Sequence, residues 1–526
     1  MSDGRASFSL EAIGRSALIL TGGTAAVQVI GVLRELYVAA RVGVSGEFDA
    51  LLIALVLPTT LAAALTSGAT TALVPAYLEA RSQAGAQEAR HLAGSVLAWI
   101  GIAGLVLWAG LVLFANGAVA VSGPGLSAAS RDSAIGYLPL VAPIAFVSAV
   151  SAILYSVCQA EEKFVAMSVA TLAGSGTTLV TMLLLWEALG LRALAVGSLV
   201  GPMVMLAILI GTTVSGSILP TPHLGRNPRL GTLLRHAGPL TLSAAILQIN
   251  TIGDRAIASL LGTGAVSALR YADVLVRIPI GAIGPAWGAA VYPALVHSAV
   301  GTVGSTLGDA ASRLLHYAIA VFIPLAILTA AVAPVAVGVA YGRGAFTPAD
   351  VSLTAQVVVG MAPLLVVFMT SAVLTGSLNA RRRGQVLLAG GIINVVLNIS
   401  LDVVLGLSLG VIGIALSSSI TQTIVLVFFV RRLAASEPGF EIAPLTRSLV
   451  LACVASIPVS FVAAVLSWSG LLPHETILAL ISLGVLALAG RGGYLAMARW
   501  VGLAEPMILA RASLGRVAGI RRMFGR

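Results

Sequence analysis

The residues able to do chemistry in this chain are few, and they sit where polar groups are expensive. The stretch INTIGDRAIASLLG (249–262) carries Asp254 and Arg255 side by side in an apolar run, with Asn250 one helical turn earlier. Near the N-terminus, Gln28, Arg34 and Glu35 interrupt a second apolar run, and Glu47 and Asp49 open a third. Arg270, Asp273 and Arg277 follow the 249–262 stretch. A charged side chain at the centre of a bilayer costs about 2.5–3.5 kcal/mol on insertion scales, so such residues face a partner or a polar cavity. An excess of Arg in that setting suits an anionic ligand, because the planar guanidinium makes bidentate contacts to phosphate.

A second polar group lies in GGIINVVLNISLDVVLG (390–406). Asn394, Asn398 and Asp402 are spaced four apart and share one helical face. Ser417, Ser418 and Ser419 follow in the next apolar run. Carboxylate, amide and hydroxyl oxygens suit a hard cation such as Na⁺, with Asp254 as a further oxygen donor. Read without that ligand, the same groups are interhelical hydrogen-bonding contacts.

These residues must be positioned by membrane helices. Of the 526 residues, 58% are hydrophobic and only 10% are charged, against about 25% charged in a soluble domain; mean hydropathy is +1.03. Apolar stretches long enough to cross a core about 30 Å thick recur along the chain. The pattern predicts an all-α polytopic membrane protein with fourteen spans. They lie near 12–40, 47–78, 92–116, 134–158, 164–188, 192–214, 233–261, 265–296, 311–334, 350–379, 385–406, 410–431, 446–468 and 476–497. Residues 1–15 lack the pattern of a cleavable signal, so the first span is expected to be retained.

Basic residues set an orientation. With the N-terminus in the cytoplasm, Arg81, Arg90, Lys163, Arg381 to Arg383, Arg431, Arg432 and the group from Arg491 to Arg526 fall on the cytoplasmic side, while Arg41, Arg131, Arg192 and Arg343 fall outside. The positive-inside rule then puts both termini in the cytoplasm. The net charge of +10 is read as this orientation signal rather than as nucleic-acid binding. The tail RASLGRVAGIRRMFGR (511–526) reads as a basic amphipathic helix on anionic membrane lipids or against a protein partner.

The chain also carries a weak repeat. A shift of 221 residues places Arg34 on Arg255, Gly43 on Gly264 and Pro58 on Pro279. Six spans per copy make the copies parallel, an arrangement found in secondary transporters. The expected division is an N-lobe at 1–214, a cytoplasmic linker at 215–232, a C-lobe at 233–433, two further helices at 434–500 and a basic tail at 501–526. Enzymatic signatures are absent: the six histidines are scattered, and no phosphate loop, HExxH or GxSxG occurs. Cys158 and Cys453 lie in separate spans without metal-ligand spacing and read as small buried hydrophobes.

The run RELYVAARVGVSGEFDALLIALVLP (34–58), the segment ALVPAYLEA (72–80), INTIGDRAIASLLGTGAVSALRYADVLVRIPIG (249–281) and YGRGAFTPAD (341–350) resemble the MurJ/MviN lipid II flippases. The resemblance covers about residues 15–435. It implies the fold of the multidrug/oligosaccharidyl-lipid/polysaccharide exporters, two six-helix lobes facing a central cavity with two added helices whose groove holds a lipid tail. It also implies movement of an undecaprenyl-pyrophosphate-linked sugar across the bacterial inner membrane by alternating access. Na⁺ or H⁺ coupling and contact with cell-wall synthesis proteins come with it.

By the same resemblance, Arg34 and Asp49 match the family's cavity charges. Asp254, Asn394, Asn398 and Ser418 match its cation site. Gln28 stands where the family has Arg, and Ala62, Ala63 and Ser67 occupy two Arg positions and a Glu. Val274 replaces an Arg, leaving Arg255, Arg270 and Arg277 to supply cationic charge. These departures keep two other cargoes open: another lipid-linked polysaccharide precursor, or a small amphiphile exported with a coupling cation.

Overall fold

The computed structural model describes residues 10–225, 228–301, 306–471, 476–503 and 505–507. Among them there are eighteen α-helices and no β-strand. They are α1 (Leu10–Val42), α2 (Gly46–Ala84), α3 (Ala86–Leu113), α4 (Ala115–Ser122), α5 (Ala128–Val141), α6 (Ile144–Ala160), α7 (Phe164–Leu189), α8 (Arg192–Ser215) and α9 (Pro228–Leu260). The rest are α10 (Ala265–Val300), α11 (Leu307–Ala331), α12 (Ala333–Tyr341), α13 (Pro348–Met361), α14 (Leu364–Ala380), α15 (Gly384–Leu409), α16 (Val411–Ala434), α17 (Ile442–Trp468) and α18 (Thr476–Trp500). Helices apolar on all sides are the expected solution for a chain in lipid, where each backbone N–H and C=O must be satisfied within its own segment.

Helix, then, occupies every one of the fourteen predicted stretches, but the count of spans changes. Among the described residues, eleven helices are long and apolar enough to cross a membrane, with α5 and α6 acting as one and α13 and α14 as another. A twelfth is α10, bent by 51° between Ala265–Gly284 and Trp287–Val300. The break falls at Pro285, a residue without a backbone N–H. The two long helices outside this set are α1 and α9, which carry the charged clusters Arg34–Glu35 and Asp254–Arg255. Among the described residues, length and composition thus give eleven or twelve spans, and the count of fourteen is not confirmed.

Local chemistry fixes the helix ends. Ser45 caps α2 by accepting the Phe48 amide at 3.4 Å. Thr306 with Asp309 and Thr347 with Asp350 form reciprocal capping boxes on α11 and α13, each side chain satisfying an orphan amide of the first turn. Gly190 (φ +56°) ends α7 and Gly410 (φ +69°) ends α15, in backbone conformations that cost glycine little.

The described chain forms two compact units. The first takes residues up to Val38 and Val44–Ser267; the second takes Ala39–Gly43 and everything from Ala268. In the first, α7 packs along α8 and α9 along α2. One apolar cluster there joins Leu73, Tyr77, Leu92, Val96, Ile153, Leu154 and Leu233. By compactness α9 thus belongs with the first unit, although the sequence reading begins a second lobe at residue 233. In the second unit α15 packs along α16 and α11 along α17, around Leu295, Leu374, Phe429 and Tyr494. The last turn of α1 is fastened there: the Ala345 amide donates to Ala40 O at 2.8 Å and the Tyr271 hydroxyl to Gly43 O at 3.1 Å. Residues 508–526, and with them the predicted amphipathic tail, lie outside the described residues.

The backbone supports the internal repeat far better than the three sequence matches do. Pro143 (φ −59°, ψ −19°) opens α6 and Pro363 (φ −57°, ψ −25°) opens α14. The turn after each helix closes through a non-glycine residue at positive φ, Glu162 at 56° and Arg382 at 55°. The amides that follow, Lys163 and Arg383, donate to Cys158 O and Leu378 O at 2.8 and 2.9 Å. These pairs, and Gly190 with Gly410, are each 220 positions apart.

Candidate functional site

In the first unit, α1, α2 and α9 present the N-terminal charges. Arg34 Nη2 lies 3.2 Å from Glu35 Oε1, the acid being buried and the base half-buried. Gln28 is exposed on the same helix, about a turn and a half earlier. Asp49 is buried and accepts two backbone amides, Gly264 on Oδ2 at 2.6 Å and Ser267 on Oδ1 at 2.7 Å. Its carboxylate thereby caps the turn between α9 and α10. Arg255 reaches the same turn, donating from Nη1 to Val266 O at 3.0 Å, and acts electrostatically on Asp49. Asp49 and Arg255 are thus brought together, around a turn whose tightness depends on Gly264 (φ +88°), where a Cβ would run into Val44. Asp254 is half-buried on α9.

The remaining predicted residues belong to the second unit. On α10, Arg277 Nε binds Asp273 Oδ1 at 2.7 Å one turn earlier, and its guanidinium lies 5.7 Å from the centre of the Phe368 ring. Arg277 is exposed and Arg270 half-buried. On α15 the buried face is Gly390, Asn394, Asn398, Asp402 and Gly406, the four-residue spacing read from sequence. Asn398 Nδ2 donates to Asp402 Oδ2 at 2.8 Å, and Asp402 has no exposed surface. From α16, Ser417 Oγ donates to the Asn398 carbonyl at 3.1 Å, and Ser419 Oγ to the Gly360 carbonyl at 2.6 Å. Ser418, the serine expected at the cation site, is half-buried between these two. The serine that meets α15 is Ser417.

The repeat supplies an internal control for this polar ladder. The equivalent face of α7, the helix that packs along α8, is Ala170, Gly174, Thr178, Met182 and Trp186, all buried. Opposite it, where α16 carries Ser417 and Thr421, α8 carries Gly197 and Gly201, each close enough to α7 that a Cβ would crowd Thr178 or Gly174. The same helix pair therefore packs in the first copy without an amide or a carboxylate. The oxygen-rich set is thus particular to the second copy. Thr421 Oγ1 is buried there with no hydrogen-bond partner, and the whole donor set fits a hard cation. Among the described residues no group of three or more His, Cys, Asp or Glu forms a transition-metal cluster.

Sequence reasoning missed the backbone amides that engage Asp49; the only available signal was an acid in the first turn of a helix. It also missed the packed aromatic group Tyr271, Tyr341 and Phe346, with ring centres 5.0–5.6 Å apart, because nothing in sequence spacing brings residue 271 to residue 341.

Comparison with known proteins places these observations in a family. The family model for the lipid II flippase MurJ matches residues 38–483. A probable lipid II flippase MurJ of Thermotoga maritima is 24% identical over 431 residues, covering 81% of this chain and 86% of its own. One of Rhizobium meliloti is 24% identical over 461 residues, 85% of each chain. Among solved structures, a lipid II flippase MurJ in an inward closed conformation superposes with a TM-score of 0.77 at 21% identity, over 91% of this chain and 98% of that one. An inward-facing multidrug resistance transporter of the MATE family, in the MOP superfamily, does so with a TM-score of 0.63 at 16% identity, over 79% and 94%. With its helical, multi-pass fold and a family match over most of its length, this chain belongs to the MurJ lipid II flippase family.

Proposed function

We propose that this chain moves an undecaprenyl-pyrophosphate-linked cell-wall precursor of the lipid II kind from the inner to the outer leaflet of the bacterial cytoplasmic membrane, by alternating access, with both termini in the cytoplasm. The match to the MurJ family over residues 38–483 carries this reading. Arg34, Arg255, Arg270 and Arg277, with Asp49 and Gln28, are the residues assigned to the cargo, the guanidiniums binding pyrophosphate oxygens. Arg277 supports this role by its exposure, held in direction by Asp273 and Phe368.

Asn394, Asn398 and Ser418 are assigned to cation coupling, with the Ser417 hydroxyl and Asp402 carboxylate on the same pair of helices, and Asp254 of the first unit is assigned to it as well. A bound Na⁺ would neutralise buried carboxylate charge. The residues' own part is to hold oxygen donors on a fixed helical face. Cell-wall synthesis proteins are assigned as partners and anionic lipids as ligands of the basic tail.

Complementation of a flippase-depleted strain tests the cargo assignment. Arg34→Ala and Arg277→Ala should each lower rescue at least tenfold, and full rescue by both would remove the guanidiniums from the mechanism. Native mass spectrometry of the purified protein should show a co-bound undecaprenyl-pyrophosphate lipid. The replacement of charged family positions by Ala62, Ala63 and Ser67 favours a second reading, a different lipid-linked polysaccharide precursor, and the mass of that lipid decides between them.

A further inference from the structure

At the end of the second unit where α12 stops and α13 begins, a pocket of about 310 Å³ opens between those helices, the end of α17 and the start of α18. Pro334, Val335, Val339, Phe346 and Val351 make its walls apolar. The wall on α12 runs inward from Gly342 to Pro334, about 12 Å at 1.5 Å per helical residue. At Gly338 an added Cβ would meet only Val351, at 4.0 Å, and at Gly470 nothing within 4 Å, so glycine keeps this space open.

One polar side chain interrupts the lining. Ser467 is 5% exposed, and its Oγ is buried without a hydrogen-bond partner. Elsewhere on α17, the Ser456 hydroxyl donates to the Ala452 carbonyl one turn back, at 2.6 Å. A buried hydroxyl is costly unless it is hydrogen-bonded, so the pocket suits an occupant that is apolar along its length and brings one acceptor. Ser467 stands at the end of α17, next to the exposed Trp468, and tryptophan is enriched at the membrane–water interface. The ester carbonyls of a phospholipid lie at that depth.

We propose that this pocket binds a diacyl phospholipid of the leaflet at that end, one acyl chain lying along α12 and its ester carbonyl accepting the Ser467 hydroxyl. A polyprenyl tail would fill the same apolar space, but it has no carbonyl and would leave Ser467 Oγ unsatisfied. Arg343, which follows Gly342, is exposed and donates through Nη2 to the Val339 and Ala340 carbonyls at 2.6 and 3.1 Å. It supplies a cation for the lipid phosphate, while the acid in the first turn of α13, Asp350, is engaged in the capping box with Thr347. The pocket uses none of the residues assigned to the cargo or to cation coupling.

Native mass spectrometry of the delipidated protein tests the site, by titration with diacyl phosphatidylglycerol and with its di-O-alkyl analogue of equal chain length. The first lipid to bind should favour the ester about threefold, the worth of one hydrogen bond. Ser467→Ala should bind both lipids alike and, without lipid, melt no lower than wild type. Gly338→Leu fills the pocket and should lose the first-bound lipid. Equal wild-type affinity for ester and ether overturns the proposal, as does an ester preference that survives Ser467→Ala. A lower lipid-free melting temperature of Ser467→Ala would give the hydroxyl a partner within the protein and overturn it too. Displacement of the first lipid by an equal concentration of undecaprenyl phosphate would make the pocket a site for the cargo's tail instead.

Discussion

At the scale of single residues, the charges that look anomalous in apolar runs divide by what they touch. Asp49 is held by two backbone amides, so Asp49→Ala would leave both without an acceptor. An unsatisfied buried polar group costs about 1–3 kcal/mol. Thermal unfolding in detergent should therefore show Asp49→Ala clearly less stable than wild type and Asp49→Asn intermediate, since the amide keeps one acceptor oxygen. Equal melting temperatures for all three would contradict the capping role. Asp49 was legible in the sequence as an intramembrane acid, but its partners were not: they are backbone groups at residues 264 and 267, and backbone groups carry no sequence signature. Arg255 was legible for the same reason, and its engagement of Val266 O was hidden for the same reason.

At the scale of helices, spacing was enough to find the Asn394–Asn398–Asp402 face, because a helix places i and i+4 on one side whatever surrounds it. Finding that Ser417 is the serine that reaches the Asn398 carbonyl needed the register of α16 against α15, which packing decides. The first copy shows that this pair of helices can associate through Gly174, Thr178 and Met182 facing Gly197 and Gly201. Grafting that face onto the second copy (Asn394→Gly, Asn398→Thr, Asp402→Met, Ser417→Gly, Thr421→Gly) should yield a protein that still inserts and folds but gains no thermal stability from Na⁺. A Na⁺-induced shift equal to that of wild type would show that the ladder serves packing alone. Close approach is itself testable at Gly413, where a Cβ would strike the Leu405 carbonyl. Gly413→Val should force α15 and α16 apart and lower stability by about 1–3 kcal/mol, the usual cost of overpacking, measured as a fall in melting temperature.

At the scale of the whole molecule, composition alone made this an all-α membrane protein, because only helices or closed barrels satisfy the backbone in lipid. The number of spans was less secure. Apolar length counts helices evenly, whereas α1 and α9 carry the charges and α10 bends by 51°. The repeat was visible at three positions and became firm only through matching turns, Glu162 with Arg382 and Gly190 with Gly410. Backbone conformation persists in those turns where side chains have changed from acid to base. If the halves descend from one architecture, Glu162→Gly and Arg382→Gly should each be tolerated, changing stability by less than about 1 kcal/mol, since glycine readily adopts positive φ; strong destabilisation by either would mean that the side chain itself is needed. What the sequence determined by itself was the solvent, the helical class and the short list of polar residues, because each follows from hydropathy and period. Which of those residues meet was decided only by the tertiary structure. The Asp49 cap and the fastening of residues 39–43 to Tyr271 and Ala345 join groups far apart in the chain, and the Ser417 contact joins successive helices; each encounter depends on helix register and close approach at glycine.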